Sequence, residues 1–422
     1  MIVKKLPKIL LRLFLIAVFV LLVSMVIAYA RGYRFDFQSK KIASTGIISV
    51  SAYPNAAKVY VDGKLEGATD LNLTVPYGTY KVEVKKEGYT TWTREITVKG
   101  ELVVTLDVLL FPVNPSLAPL SNLGILKAIP VNGTDKIVLF ADNGDELKDG
   151  VYLFEASKNP LSIFPPLKLL MLKKYLPAGV DLKNTQMYFS PDYKQGILEM
   201  PLLDSQSGET ISYLISLEEE NINQFDVTVS KDTLVEAWNQ EKQANKFKIL
   251  ETFKKDIVKV ASDSFDIISF SPDETKFLYL AINEAEVPIV IKPRMVSTNQ
   301  TPETRVVKPG NLYVYDRKED RNYKLEIPYM SSLIENNEVA NSIAWYPDSK
   351  HLVIKEVPLK DDEGSKEKIV IIDFDGMNRQ TVYSGPFDRT FFKAASDGRI
   401  IIMTTFNPDT SPMPDLYAVG IK

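Results

Sequence analysis

The stretch "SFSPDETKFLYLA" (269–281) joins a Ser-Pro-Asp turn to an apolar strand, and variants of it return along the C-terminal part of the chain. They read "YFSPDYKQGILEM" (188–200), "AWYPDSKHLVIKE" (344–356) and "KAASDGRIIIMTT" (393–405), with looser versions in "IPVNGTDKIVLFA" (129–141) and "VTVSKDTLVEAW" (227–238). Their aspartates, Asp135, Asp192, Asp232, Asp273, Asp348 and Asp397, are 57, 40, 41, 75 and 49 residues apart. Several of these steps match the roughly 40–50 residues of one four-stranded propeller blade. Each phrase is followed by a second strand ending in polar residues, such as "GVYLFEA", "KFKILETF" or "KIVIIDFDGMNRQTVY". A turn, an inner strand and an outer strand, repeated about six times, is the layout of blades around an axis. The longest step holds "EVPIVIKPRMVSTNQTPETRVVKPG" (286–310), expected as a loop or extended hairpin on one rim. A pair of β-sandwiches, whose strands recur every 8–12 residues, is the alternative.

Composition agrees with a mostly β protein. Twenty Tyr, 20 Phe and 25 Pro among 422 residues favour strands and turns, and the length exceeds one typical domain. A net charge of −4 gives no case for nucleic acid. Without cysteine there is no disulfide, thiolate nucleophile or Cys-based metal site, and His351 is the one histidine, so no His–His metal pair can form.

At the N-terminus, "LFLIAVFVLLVSMVIAYA" (13–30) has no charge and follows Lys4, Lys5, Lys8 and Arg12. Extended back to Ile9, with Arg12 snorkelling, it spans the roughly 30 Å hydrocarbon core as a helix. Residues 9–30 are therefore expected to be an uncleaved transmembrane anchor, with residues 1–8 cytoplasmic and the bulk of the chain extracytoplasmic. The alternative is a signal peptide cleaved after Ala28-Tyr29-Ala30. Residues 31–46 read as a juxtamembrane stalk, and the three prolines of "FPVNPSLAPLSN" (111–122) as a linker before a propeller-like domain at 123–422.

Residues 47–110 alternate with period 2. Val59 and Val61 share one face of a strand, Asp62-Gly63 signals a two-residue hairpin turn, and Tyr80, Val82 and Val84 alternate with Lys81, Glu83 and Lys85. Gly88 marks another turn, and "TREITV" with "LVVTLDV" reads as a final strand pair in a small antiparallel sandwich. Tyr53, Tyr80, Tyr89 and Trp92 are expected to fill much of its core. This segment, with "SAYPNAAKVYVDGK", "EGATDLNLTVPYGTY" and "KVEVKKEGYTTW", resembles the PEGA domain family, whose Pro-Glu-Gly-Ala turn stands here as Pro76-Tyr77-Gly78-Thr79. Pro76 would fix φ and Gly78 would take positive φ. The resemblance implies a non-catalytic extracytoplasmic module and transfers no binding residue. The turns Ser190-Pro191-Asp192, Ser271-Pro272-Asp273 and Tyr346-Pro347-Asp348 resemble the Ser-Pro-Asp-Gly hairpins of TolB-like β-propeller repeats, with Gly present only in Ser396-Asp397-Gly398.

Candidate chemistry is sparse. His351, at a hairpin edge, reads as a solvated or packing residue rather than a general base. The acidic loop "DNGDELKDG" (142–150) departs from the EF-hand spacing and reads as a solvated hairpin rather than a calcium site. "KDDEGSKEK" (360–368) reads as a polar hairpin tip, and "LKLLMLKKYL" (167–176) as a short helix with Pro166 in its first turn. No catalytic, cofactor-binding or metal-ligating residue is assigned and no cofactor is expected. The expected partners are the membrane, through residues 9–30, and an envelope protein or glycan. The expected role is an anchored scaffold, with a glycan-active hydrolase or lyase using acidic residues at the propeller mouth as the alternative.

Overall fold

The computed structural model describes residues 6–30, 33–36, 41–100, 102–156, 167–203, 208–294, 299–358, 366–405 and 413–420. They fall into two compact units, residues 1–111 with 296–301, and residues 112–295 with 302–422.

The first unit opens with helix α1 (Leu6–Ala30). Its window Leu11–Ala28 has a mean hydropathy of 2.8 and is unburied among the described residues, so the helix is long and apolar enough to cross a membrane. Eight strands follow: β1 (Tyr33–Asp36), β2 (Lys41–Tyr53), β3 (Lys58–Val61), β4 (Lys64–Ala68), β5 (Leu71–Pro76), β6 (Gly78–Lys85), β7 (Trp92–Val98) and β8 (Val103–Leu109). The expected stalk is therefore partly strand. They form two four-stranded sheets, one of β1, β2, β5 and β8 and the other in the order β4-β3-β6-β7. β7 and β8 do not pair as expected. β7 lies antiparallel to β6, whereas β8 crosses to the other sheet and runs parallel to β2.

The alternation of Val59, Val61, Val82 and Val84 puts all four side chains in the core, with Ile48, Val50, Val104, Leu106 and Val108 from the facing sheet. Aliphatic residues, not aromatic ones, supply most of this core. Trp92 is buried, Tyr80 and Tyr89 are partly buried, and Tyr53 is 48% exposed. Asp62 and Gly63 take positive φ as the hairpin requires. Gly78 does not take positive φ. A Cβ there would meet the Tyr80 ring at 3.4 Å, and Tyr80 reaches over it to donate its hydroxyl to the Pro76 carbonyl at 2.8 Å. The turn is thus closed by a side chain. Asn299, inside the 286–310 insertion, bridges Ile96 and belongs to this unit.

Among its described residues the second unit contains five four-stranded antiparallel sheets, here blades 1 to 5. Their first and last described strands span 125–172, 186–226, 265–325, 343–384 and 392–419. Strand β9 (Leu117–Pro119), from the segment expected to be a linker, supplies the fourth strand of blade 5 by pairing with 415–419. The first and last strands of this unit thereby share one sheet and close the ring. Asp415 secures the closure, its carboxylate accepting from the Ser121 hydroxyl and the Leu123 amide, both at 2.8 Å.

Six phrases yield five blades because "VTVSKDTLVEAW" does not form a hairpin. It enters helix α2 (Lys231–Leu250), followed by α3 (Lys255–Ser264), so "KFKILETF" is helix and turn. The segment from 231 to 250 lacks Gly and Pro and is rich in Glu, Gln, Ala and Lys, so helix propensity overrides the weak turn phrase. The helix pair packs on the blade 3 face that another blade would cover. Phe253 meets Phe277 edge-on at 5.2 Å, and Ile257 and Ala261 lie with Tyr279, Tyr313 and Tyr315. The opposite face, Leu278, Leu312 and Val314, packs on blade 4. Lys231 joins the helix to blade 2 through Glu199 at 2.7 Å. "LKLLML" is likewise the last strand of blade 1 (167–172), not a helix.

The Ser-Pro-Asp phrase has a physical explanation. In blades 2 and 3 the serine hydroxyl donates to the aspartate at 2.7 Å and accepts the amide five residues on at 3.0 Å. Each aspartate, 192, 273, 348 and 397, accepts the amide two residues later at 2.8–3.2 Å. The residue following the aspartate has positive φ in all four turns, being Tyr193, Glu274, Ser349 and Gly398. Three turns thus hold a side chain in the left-handed region where glycine is favoured. Glu274 is exposed, so we predict that Glu274→Gly stabilises the protein by about 0.5–1 kcal/mol in chemical denaturation. A loss of stability would contradict this turn assignment.

Candidate functional site

The first strands of blades 1, 3, 4 and 5, with the turns that follow them, enclose a cavity of about 580 Å³. Exposed turn residues Asn132 and Gly133 stand at its mouth. The lining combines apolar walls from Phe270, Ile343 and Phe392 with Ser269, Trp345 and Lys393. These three occupy the last two strand positions before the turns that begin at Ser271, Tyr346 and Ala395. The repeat phrase therefore carries the signal for them, although they were not singled out from sequence.

Neighbouring turns hold one another around this cavity. Lys136 donates to the Tyr193 carbonyl at 3.2 Å, the Asp273 amide to the Ser349 hydroxyl at 3.0 Å, and the Tyr346 hydroxyl to the Gly398 carbonyl at 3.0 Å. Asp135 accepts the Ser396 amide at 2.8 Å and also its hydroxyl. These contacts link blade 1 to 2, 3 to 4, 4 to 5 and 5 to 1. The remaining junction, between blades 2 and 3, is where the helix pair is inserted. Buried ammonium groups reinforce two of the seams: Lys393 donates to the Val131 carbonyl at 3.0 Å and Lys355 to the Arg389 carbonyl at 2.6 Å. Burial pushes the Lys393 amine down to about 8.

The cavity lining includes one carboxylate, Asp135, and its two oxygens are engaged by Ser396. A carboxylate pair of the kind used in glycoside hydrolysis does not line it among the described residues. In the acidic loop, Asp149 accepts the Asn143 and Gly144 amides, both at 2.8 Å, and Asp142 pairs with Lys173. The three aspartates brace the loop rather than converge, and no cluster of three metal-ligating side chains occurs among the described residues. Most of the 360–368 tip lies outside the described residues. Within the 286–310 insertion, only residues 286–294 and 299–310 are described. A short strand pair (285–286 with 306–307) closes its base, and Asp320 accepts the Val290 and Ile291 amides at 2.8 and 3.0 Å.

His351 is buried, not solvated. Its Nδ1 lies 2.6 Å from Asp348 and its Nε2 3.3 Å from Asp373. Burial opposes its protonation, but hydrogen bonds to the two carboxylates and their charges prevail and raise its pKa to about 9. A folded-state pKa above the ordinary 6.5 gives stabilisation that is complete below pH 6.5 and is lost as the pH rises through 9. Lys393, depressed by burial, has the opposite sign over its own range. We predict that wild type loses on the order of 3 kcal/mol relative to His351→Gln between pH 6.5 and 9.5. Parallel stability–pH curves would contradict the ion pairing.

Residues 45–114 match the model described as PEGA domain. No curated protein matches the chain. Similar solved structures include a putative TolB from Agrobacterium tumefaciens (10% identity, TM-score 0.20, covering 69% of this chain and 73% of that one). They also include TolB from Acinetobacter baumannii (12%, 0.21, 81% and 60%) and the GH74 enzyme of Niastella koreensis (9%, 0.28, 72% and 45%). Superpositions this loose carry no assignment of activity or partner. Residues 45–114 are a PEGA domain, lying in sequence between an apolar N-terminal helix and a β-propeller.

Proposed function

We propose that this protein is a membrane-anchored, extracytoplasmic binding or scaffold protein of the cell envelope. The observation that carries this reading is the uncovered apolar helix α1, directly followed in the chain by a PEGA domain and a propeller with an open cavity. α1 would hold the chain in the membrane with residues 1–8 in the cytoplasm. The propeller would present its cavity and rim turns to a protein or glycan, since rigid blades display loops without needing them to fold on binding. The single lining carboxylate, already engaged by Ser396, supports binding over hydrolysis.

Two measurements test the proposal. In membranes of the host, the full-length chain is expected to resist alkaline carbonate extraction, to retain Met1–Ala30, and to be digested by protease added to the outer side. Release by carbonate, cleavage after Ala30, or protection from external protease would overturn the anchored topology. For the binding role, the detergent-solubilised chain is expected to retain a saturable glycan or envelope-protein ligand unchanged, whereas accumulation of cleaved glycan would establish the hydrolase alternative.

A further inference from the structure

The chain contains two Asn-Gly pairs, Asn132-Gly133 and Asn143-Gly144, in surroundings that match closely and differ in their hydrogen bonds. All four residues are exposed, and both glycines take positive φ, +82° and +84°. Asn143-Gly144 is locked. The Asn143 side-chain amide donates to the Leu123 and Gly124 carbonyls at 2.6 and 2.8 Å, and the Gly144 amide donates to Asp149 at 2.8 Å. At the other pair, neither the Asn132 side chain nor the Gly133 amide has a hydrogen-bond partner among the described residues. The turn is held on either side, where the Val131 carbonyl accepts from Thr134 and Lys393 and Asp135 accepts from Ser396, so residues 132 and 133 stand free at the cavity mouth.

We propose that Asn132 is a site of spontaneous deamidation and isoaspartate formation, with water as the only co-reactant, and that Asn143 is protected from the same reaction. The backbone nitrogen of Gly133 loses its proton to solvent base and attacks the Asn132 Cγ, forming a C–N bond. The Cγ–Nδ2 bond breaks, and Nδ2 leaves as ammonia after taking a proton from water. Water then opens the resulting five-membered imide at either carbonyl, giving aspartate or isoaspartate, so the net change is amide plus water to carboxylate plus ammonium. Glycine suits the attacking position because no Cβ obstructs its nitrogen. At Asn143 the same path must first break three hydrogen bonds, since the attacking nitrogen is tied to Asp149 and the leaving nitrogen to two carbonyls. Breaking them, one being a bond to a charged group, slows the reaction there by at least about tenfold. The product alters the cavity mouth. It brings a new negative charge, and the isoaspartate form lengthens the backbone inside the turn that carries two contacts to blade 5, at Val131 and Asp135.

The test is peptide mapping by mass spectrometry of the full chain, aged in detergent micelles at mildly alkaline pH in heavy-oxygen water, with an isoaspartyl methyltransferase to mark isoaspartate. In the native chain Asn132 is expected to take up heavy oxygen at least about tenfold faster than Asn143, as a mixture of aspartate and isoaspartate. In the urea-unfolded chain, where both pairs lose their surroundings, the two are expected to convert at comparable rates. Asp149→Ala, which frees the Gly144 amide, is expected to raise the rate at Asn143 several-fold and to leave Asn132 unchanged. Asn132→Gln, whose imide would need a larger ring, should abolish the product at that position. The proposal is overturned if Asn132 stays intact in the native chain or if Asn143 converts as fast beside it. It is also overturned if the unfolded chain keeps the tenfold difference, which would assign that difference to sequence rather than to hydrogen bonds. Should Asp149→Ala fail to fold, the comparison of native with unfolded wild type still decides.

Discussion

A carboxylate accepting the backbone amide two residues ahead is the constraint on which the larger unit depends. It recurs at Asp192, Asp273, Asp348 and Asp397, and it bends the chain from an inner strand into the next strand of the same blade. Once each turn is fixed, its outward-facing groups are available to the adjacent blade. The Ser349 hydroxyl meets the Asp273 amide and Asp135 meets Ser396, so local turn geometry becomes contact between blades. A hydrogen bond that is modest alone, about 1 kcal/mol, gains importance by positioning whole sheets.

The same arrangement explains the cavity. Blades 1, 3, 4 and 5 bring their inner strands around one space, and the helix pair α2–α3 fills the angular position that a sixth hairpin phrase suggests from sequence. Blade 3 is suited to this neighbour. Its Phe277, Tyr279, Tyr313 and Tyr315 make one aromatic face, against which Phe253 and Ile257 pack, while the opposite face is aliphatic and contacts blade 4. Large aromatic side chains bury 150–250 Å² apiece, which allows a short amphipathic helix to cover a sheet face.

The parts of this structure visible in the sequence are those governed by nearest neighbours. Asp62-Gly63, the valine alternation of β3 and β6, and the Ser-Pro-Asp turns all depend on local φ, period and side-chain reach. What was hidden depends on partners distant in the chain. β9 is a strand only because residues 415–419 lie beside it, and "LKLLML" is a strand only because blade 1 offers an unpaired edge. β8 joins β2 in parallel, a pairing that no turn signal between adjacent strands announces. His351 reads from sequence as a solvated or packing residue at a hairpin edge because its two carboxylates, one three residues away and one 22 away, converge only after blade 4 folds. Among cavity residues, Ser269, Trp345 and Lys393 shared a register relative to the turns, yet their types differ, so the phrase marked their positions without declaring a site.

Closure of the ring by β9 makes the cavity a property of the whole unit rather than of any blade, and Asp415 is the residue that fixes that closure. The most direct measurement is hydrogen exchange on Asp415→Ala compared with wild type. Loss of three bonds to a buried carboxylate predicts destabilisation of about 2–4 kcal/mol, with protection falling together at residues 117–130 and 392–419. Unchanged protection at 117–130, or a loss confined to residues next to 415, would contradict a propeller closed by its own N-terminal strand.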